Sequence, residues 1–277
     1  MLILRALTLF TILFAGQAAA QDKPLTALQS GLVAQGWEAV GRIDIGSTGF
    51  CTGALISDRL VLTAAHCLFD RETGTRYDDS SILFRAGWRN GFAVAEGRVV
   101  RSVVHPEYRV TRNATEETVM NDLALLELAR PMTTRGITPF GVRDMPTRGD
   151  TVAVVSYARG RLEAPSLQDQ CRVLGSHDLG VIYMTCAVDF GASGSPVFAV
   201  EDGRAEIVSI VSAKGMSDGG DFIGEVAFGV ALGPKLDMLR EALAARDARF
   251  IQAPAPQTRK AAPRRMTGDG GARFLRP

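Results

Sequence analysis

From Trp37 to Leu232 the chain is a series of short apolar runs, each long enough for one strand and each closed by turn residues. The first three, Trp37–Ile45, Phe50–Ile56 and Leu60–Thr63, are separated by Gly46–Gly49 and by Ser57–Arg59. Further strands are predicted at Ser81–Ala86, Gly91–Val104, Leu123–Leu128, Thr151–Tyr157, Cys171–Leu174, Gly180–Cys186, Ser195–Val200, Glu206–Ala213 and Ile223–Leu232. Many short strands at this spacing predict a sandwich or a barrel. No strand alternates with a long helical pattern, which argues against a parallel α/β sheet. One helix is predicted, Lys235–Arg246, where Leu236, Leu239 and Leu243 recur at helical spacing behind Gly233 and Pro234. The expected class is all-β with a C-terminal α-helix.

The two ends differ from this body. Residues 1–20 read as a signal peptide, with Arg5 ahead of a short apolar run and Ala18–Ala20 as a small-residue cleavage site. The run is shorter than the ~20 residues that a spanning helix needs. No later stretch is long and apolar enough, so no transmembrane segment is expected, and the product should be secreted or periplasmic. Residues 21–36 form an N-terminal segment with modest helical character. Residues 252–277 are rich in Pro, Ala and Arg and carry a local net charge of +5 from Ala253 onward. That composition predicts a disordered basic tail, dispensable for turnover. The whole chain balances 31 Lys+Arg against 30 Asp+Glu, so no global field favours nucleic acid.

Export gives the four cysteines an oxidising compartment. An even count fits two disulfides, and four cysteines allow three connectivities. The sequential pairing, Cys51 with Cys67 and Cys171 with Cys186, closes two short loops. The spacing is not that of a paired zinc ligand set. Asp70, Glu72, Asp78 and Asp79 lack the regular ligand order of a calcium loop, so they read as a solvated acidic loop and no metal is expected.

Three stretches carry chemistry. In Gly191-Ala192-Ser193-Gly194-Ser195-Pro196, glycines flank a serine and permit a tight turn that aims backbone N–H groups at one point. In Thr63-Ala64-Ala65-His66-Cys67, a histidine ends an apolar strand beside a cysteine. His105 and His177 read as surface polar residues. In Asn121-Asp122-Leu123-Ala124-Leu125-Leu126, an aspartate stands just before an apolar strand, where a buried carboxylate could orient an imidazole.

Together these stretches resemble the trypsin-like serine endopeptidases of the chymotrypsin fold, whose triad runs His, Asp, Ser in sequence. The serine motif differs at two positions from the family's usual Gly-Asp-Ser-Gly-Gly-Pro. Its Ser-Gly-Ser-Pro, and the short interval from Asp122, suit the bacterial glutamyl-endopeptidase branch. The resemblance implies two six-stranded antiparallel Greek-key β-barrels, residues 37–130 and residues 131–251 with the closing helix, and an active site between them. It implies a secreted serine endopeptidase that hydrolyses protein or peptide substrates through an acyl-enzyme, as a monomer without cofactor. A catalytically silent homologue acting as a binding protein is the alternative. An esterase fits poorly, since its serine elbow leads into a helix and its histidine comes last.

By the same resemblance, His66 is the base, Asp122 orients it and Ser193 is the nucleophile. The N–H groups of Gly191 and Ser193 form the oxyanion hole. Ala187 and Val188 line the base of the specificity pocket, Ser212, Ala213 and Lys214 one wall, and Gly229 another. The expected links are Cys51–Cys67, beside His66, and Cys171–Cys186. The first closes a loop worth about 3 kcal/mol in the chain-entropy picture. Two departures matter. Ala192 stands where the family's activation aspartate would accept a new N-terminal amine, so no switch of that kind is expected. Ala187 cannot pair with a basic substrate, and Val208–Lys214 contains no histidine to bind an acidic one. A modest apolar side chain is expected in the pocket, with Lys214 on the rim as the feature that could instead recruit an acidic one.

Overall fold

The computed structural model describes residues 25–250, apart from 48, 112, 134, 135, 179, 220 and 221, together with a short strand at 273–275. The signal-peptide reading of 1–20 and most of the basic tail lie outside the described residues. Among the described residues, no helix is long and apolar enough to cross a membrane.

A two-residue strand, β1 (Thr26–Ala27), precedes the first barrel. The lead-in is otherwise built of turns rather than helix, and β1 pairs with Leu167 and Ser166 far along the chain. The barrel uses β2 (Val40–Ile45), β3 (Gly49–Leu55), β4 (Leu60–Thr63), β5 (Ile82–Ala86), β6 (Ala95–Val104) and β7 (Ala124–Leu128). They close in the order β2-β3-β4-β7-β6-β5. Alternation drives the closure. In β2, Ile43 and Ile45 are buried while Arg42 and Asp44 are only partly covered, and Ile82 and Phe84 do the same in β5. A four-residue helix, α1 (Glu116–Val119), is opened by a capping box between Thr115 and Thr118 just before β7.

After β8 (Gly141–Val142), the second barrel uses β9 (Thr151–Ala158), β10 (Arg161–His177), β11 (Val181–Met184), β12 (Pro196–Glu201), β13 (Arg204–Gly219) and β14 (Phe222–Ala231). Antiparallel pairings run β9–β10–β11–β14–β13–β12 and return to β9, so these six strands form a ring. β1, β8 and β15 (Arg273–Leu275) attach outside it. The two six-stranded units match the expected fold. Trp37, Phe140 and Phe198 meet at the seam, with Phe140 and Phe198 centroids 4.6 Å apart. One apolar cluster runs through both units.

The helix α2 (Gly233–Ala245) carries Pro234 in its first turn and buries Leu236, Leu239, Ala242 and Leu243. It packs back on β6 and β7 of the first barrel. This corrects the reading of His105. The turn after β6 lies close to the helix start, and His105 is buried at 6% exposure. Burial first, and then the Lys235 charge, push its imidazole down to about 4 despite Glu107.

Candidate active site

β4 and β7 are antiparallel neighbours, with Thr63 opposite Ala124. The residues just after β4 and just before β7 therefore emerge at the same end of the barrel. His66 comes from the first, in a 3₁₀ turn at Ala65–Leu68, and Asp122 from the second. Asp122 is fully buried and His66 is 4% exposed. Asp122 Oδ1 accepts the His66 backbone N–H at 2.8 Å, and its Oδ2 lies 2.7 Å from Nδ1. An ionised carboxylate only accepts, so Nδ1 carries the proton and Nε2 is the basic nitrogen. Ser212 Oγ donates to the same Oδ2 at 2.5 Å. The two carboxylate oxygens thus take part in three hydrogen bonds.

Both expected disulfides are formed. Cys51–Cys67 ties the turn of His66 back to β3, with Cα atoms 6.2 Å apart. Cys171–Cys186 ties β10 to the segment after β11. The donor atoms of Cys51, His66 and Cys67 lie within 4.8 Å of one another. The two sulfurs are bonded to each other and offer no thiolate to a metal.

The loop of Ser193 is joined to this corner from two sides. Thr52 on β3 donates its backbone N–H to the Ser193 carbonyl at 2.9 Å and its hydroxyl to the Gly191 carbonyl at 2.9 Å. The same hydroxyl accepts the Tyr157 N–H at 3.1 Å. On the other side, Gly194 N–H donates to Val211 O at 2.7 Å, and Val211 N–H donates to Ser195 O at 2.9 Å. The next residue on β13 is Ser212, the donor to Asp122. Two glycines are required here. Gly191 has φ +98°, and a Cβ on it would lie 2.2 Å from the Phe50 ring. Gly194 has φ +75°, and a Cβ there would lie 2.1 Å from Thr63 Oγ1 and 2.8 Å from the Ala64 nitrogen. The serine loop thus packs on the backbone that leads into His66.

The pocket residues fall into three places. Ala187 is exposed, with its N–H donated to Gln168 Oε1 at 2.8 Å, whereas Val188 is buried in the second barrel. Ser212, Ala213 and Lys214 follow one another on β13. Lys214 Nζ reaches Asp189 Oδ1 at 3.0 Å, and Arg159 lies 4.4 Å over the Phe190 ring. Burial raises the Asp189 carboxyl, but the Phe190 N–H, Lys214 and Arg159 outweigh it and hold the group below its ordinary value. Gly229 lies on β14. It sits opposite Val211, and a Cβ there would meet Ser209 Oγ at 2.4 Å and Ile182 at 2.9 Å inside the barrel.

Sequence reasoning missed Thr52 altogether and gave Ser212 only a wall role. Nothing local marks either. Each acts on a partner at least 90 residues away in the chain. In the acidic loop, Asp70 accepts the Glu72 and Thr73 amides, Asp78 caps a turn at Ser80, and Asp79 accepts the Ser102 N–H.

A family model described as Trypsin matches residues 31–229. A trypsin of Phaedon cochleariae is 39% identical over 84 residues, 30% of this chain and 29% of its own length. The glutamyl endopeptidase of Bacillus licheniformis is 27% identical over 161 residues, 57% of this chain and 48% of its own length. The chain thus spans less than half of these two relatives. A solved structure of a Glu endopeptidase in complex with MPD superposes with TM-score 0.61 at 16% identity, over 80% of this chain and 98% of its own.

Proposed function

This chain belongs to the trypsin family, and we propose that it is an exported serine endopeptidase working through His66, Asp122 and Ser193. The observation that carries the reading is the buried His66–Asp122 pair at 2.7 Å, set beside a glycine-flanked serine loop bonded to the same two barrels. Ser193 Oγ attacks the scissile carbonyl while His66 Nε2 takes its proton. Asp122 holds the ring in that tautomer and stabilises the imidazolium. The N–H groups of Gly191 and Ser193 receive the oxyanion, an interaction whose loss costs about 10²–10³ in rate. The leaving amine takes the proton back, and water then releases the acyl group by the same steps reversed. The base must be neutral, so turnover rises from acid toward neutral pH.

The loop needs no buried ion pair to hold its shape. Ala192 is fully buried and donates its N–H to Asp189 O at 2.9 Å. Thr52 supplies two further bonds from the opposite barrel. These contacts support activity without insertion of a newly cut N-terminus. Lys214 is committed to Asp189, and Ala187 and Val188 bring no charge, which supports a modest uncharged side chain in the pocket.

Rapid mixing with a p-nitrophenyl ester tests the reading, alongside cleavage of a peptide library. A burst of one product per enzyme together with internal peptide cleavage is expected. A chain that gives neither, yet binds peptides, would be a silent homologue acting as a binding protein.

A further inference from the structure

β13 is covered on one edge by β14 along its whole outer half, to Gly219 opposite Phe222. Its other edge changes partner at the active site. β12 pairs with it as far as Ile210, opposite Pro196. Val211 then bonds the serine loop, and Ser212 turns its hydroxyl to Asp122. Beyond that point the edge borders the site, and an exposed strand edge is a template for another strand. In the structure it carries β15. Leu275 lies opposite Lys214, Phe274 opposite Gly215 and Arg273 opposite Met216, antiparallel.

The polarity is informative. β13 runs away from Ser212, so an antiparallel strand on this edge runs N-to-C toward the serine loop. The acyl half of a peptide substrate must arrive in that direction, with its scissile carbonyl last. We infer that Arg273–Leu275 is an in-cis competitor that fills the edge an extended peptide would use, so that the chain restrains its own action on such peptides. The inference rests on the proteolytic reading above. It also departs from the composition of the tail, which predicts no structure there.

The arithmetic is favourable for a weak strand. A segment tethered on the same chain is presented at an effective concentration on the order of millimolar, well above a micromolar substrate. If the strand fills the edge nine-tenths of the time, the apparent KM for an extended peptide rises about tenfold and kcat is unchanged.

The test compares the full chain with a chain ending at Ile251, and with a full-length variant in which Phe274 and Leu275 are both replaced by proline. The double change removes one N–H aimed at β13 whichever of the two faces it. Both changed proteins should hydrolyse a tetrapeptide anilide with KM about tenfold lower than the full chain. Their turnover of a single-residue ester, which does not reach Lys214, should match it. A synthetic peptide of residues 270–277 should restore the higher KM competitively in the shortened chain. Equal KM values for the tetrapeptide in all three proteins would overturn the inference, as would a shift of equal size for the ester. In either case the ester is still hydrolysed, so the proteolytic reading stands. Absence of any turnover in all three would instead strike the reading itself.

Discussion

The His66–Asp122 corner and the rim around Lys214 belong to the same proposed site but are held in different ways. The corner is buried, pinned by a disulfide, and fixed by three hydrogen bonds on one carboxylate. The rim is partly open, with Phe190 39% and Met216 45% exposed, and Lys214 rests on an ion pair with Asp189 and on the Phe190 ring. Buried groups with several partners leave one arrangement available, whereas exposed ion pairs contribute little. On the proposed reading, the contrast teaches that the base and its partner are fixed by the first barrel and the serine loop by the seam, while selectivity rests on side chains that can be exchanged cheaply.

Asp122→Asn is the change that should break the corner most. An amide presents hydrogens where the carboxylate accepts from Nδ1–H and Ser212, and it favours the wrong tautomer of His66. A fall in kcat of about 10⁴ with the fold retained is expected. Steady-state kinetics beside circular dichroism reads it, and a fall of less than about tenfold would show that the pair is ornamental.

His105 tests burial in the same barrel without touching the site. Its folded pKa is about 4 against an ordinary 6.5. The unfolded chain therefore takes up the proton first, and stability is complete above about pH 6.5 and is lost as pH falls toward about 4. The span corresponds to about 3 kcal/mol. His105→Asn keeps an acceptor for the Glu107 N–H, which the imidazole Nδ1 accepts at 3.3 Å, and cannot protonate. Denaturant unfolding at pH 7 and pH 4.5 should show a shallower loss in the variant. Parallel losses in the two proteins would count against this account of burial.

Thr52 probes the seam. Thr52→Val deletes the hydroxyl that bonds Gly191 O and Tyr157 N–H but keeps the shape. As a positioning change it should lower kcat by about tenfold, less than loss of an oxyanion donor, with KM little altered and activity recovered by Thr52→Ser. A change confined to KM would place Thr52 outside the ordering of the oxyanion loop. At the rim, Lys214→Ala should move KM by no more than about fivefold and leave kcat alone, as suits a pair worth at most about 1 kcal/mol. A larger effect on kcat would erase the distinction between corner and rim.

The same contrast explains what the sequence made legible. His66, Asp122, Ser193 and the two glycines sit in runs whose local pattern carries their proposed role, and short strands between turns marked most of both barrels. β10 was cut short because Pro165 and the run from Gln168 to Gln170 interrupt its alternation, and register shifts on both sides of Ser166–Gln168 let the strand continue. Gly229 was placed on a pocket wall by resemblance alone, and its register opposite Val211 follows from the pairing of β13 with β14. Thr52 and Ser212 act through contacts between distant strands, and no local pattern announces those. His105 was read as exposed because the packing of α2 over that turn is a tertiary fact.

Mapping of a fluorophosphonate adduct tests the central claim most directly. The reagent reacts with a serine only where a base and an oxyanion site activate it. Peptide mapping should place a single adduct on Ser193, and it should vanish in Ser193→Ala and in His66→Ala while both proteins keep their fold. An adduct on Ser195 or Ser212, or labelling that survives loss of His66, would contradict the account.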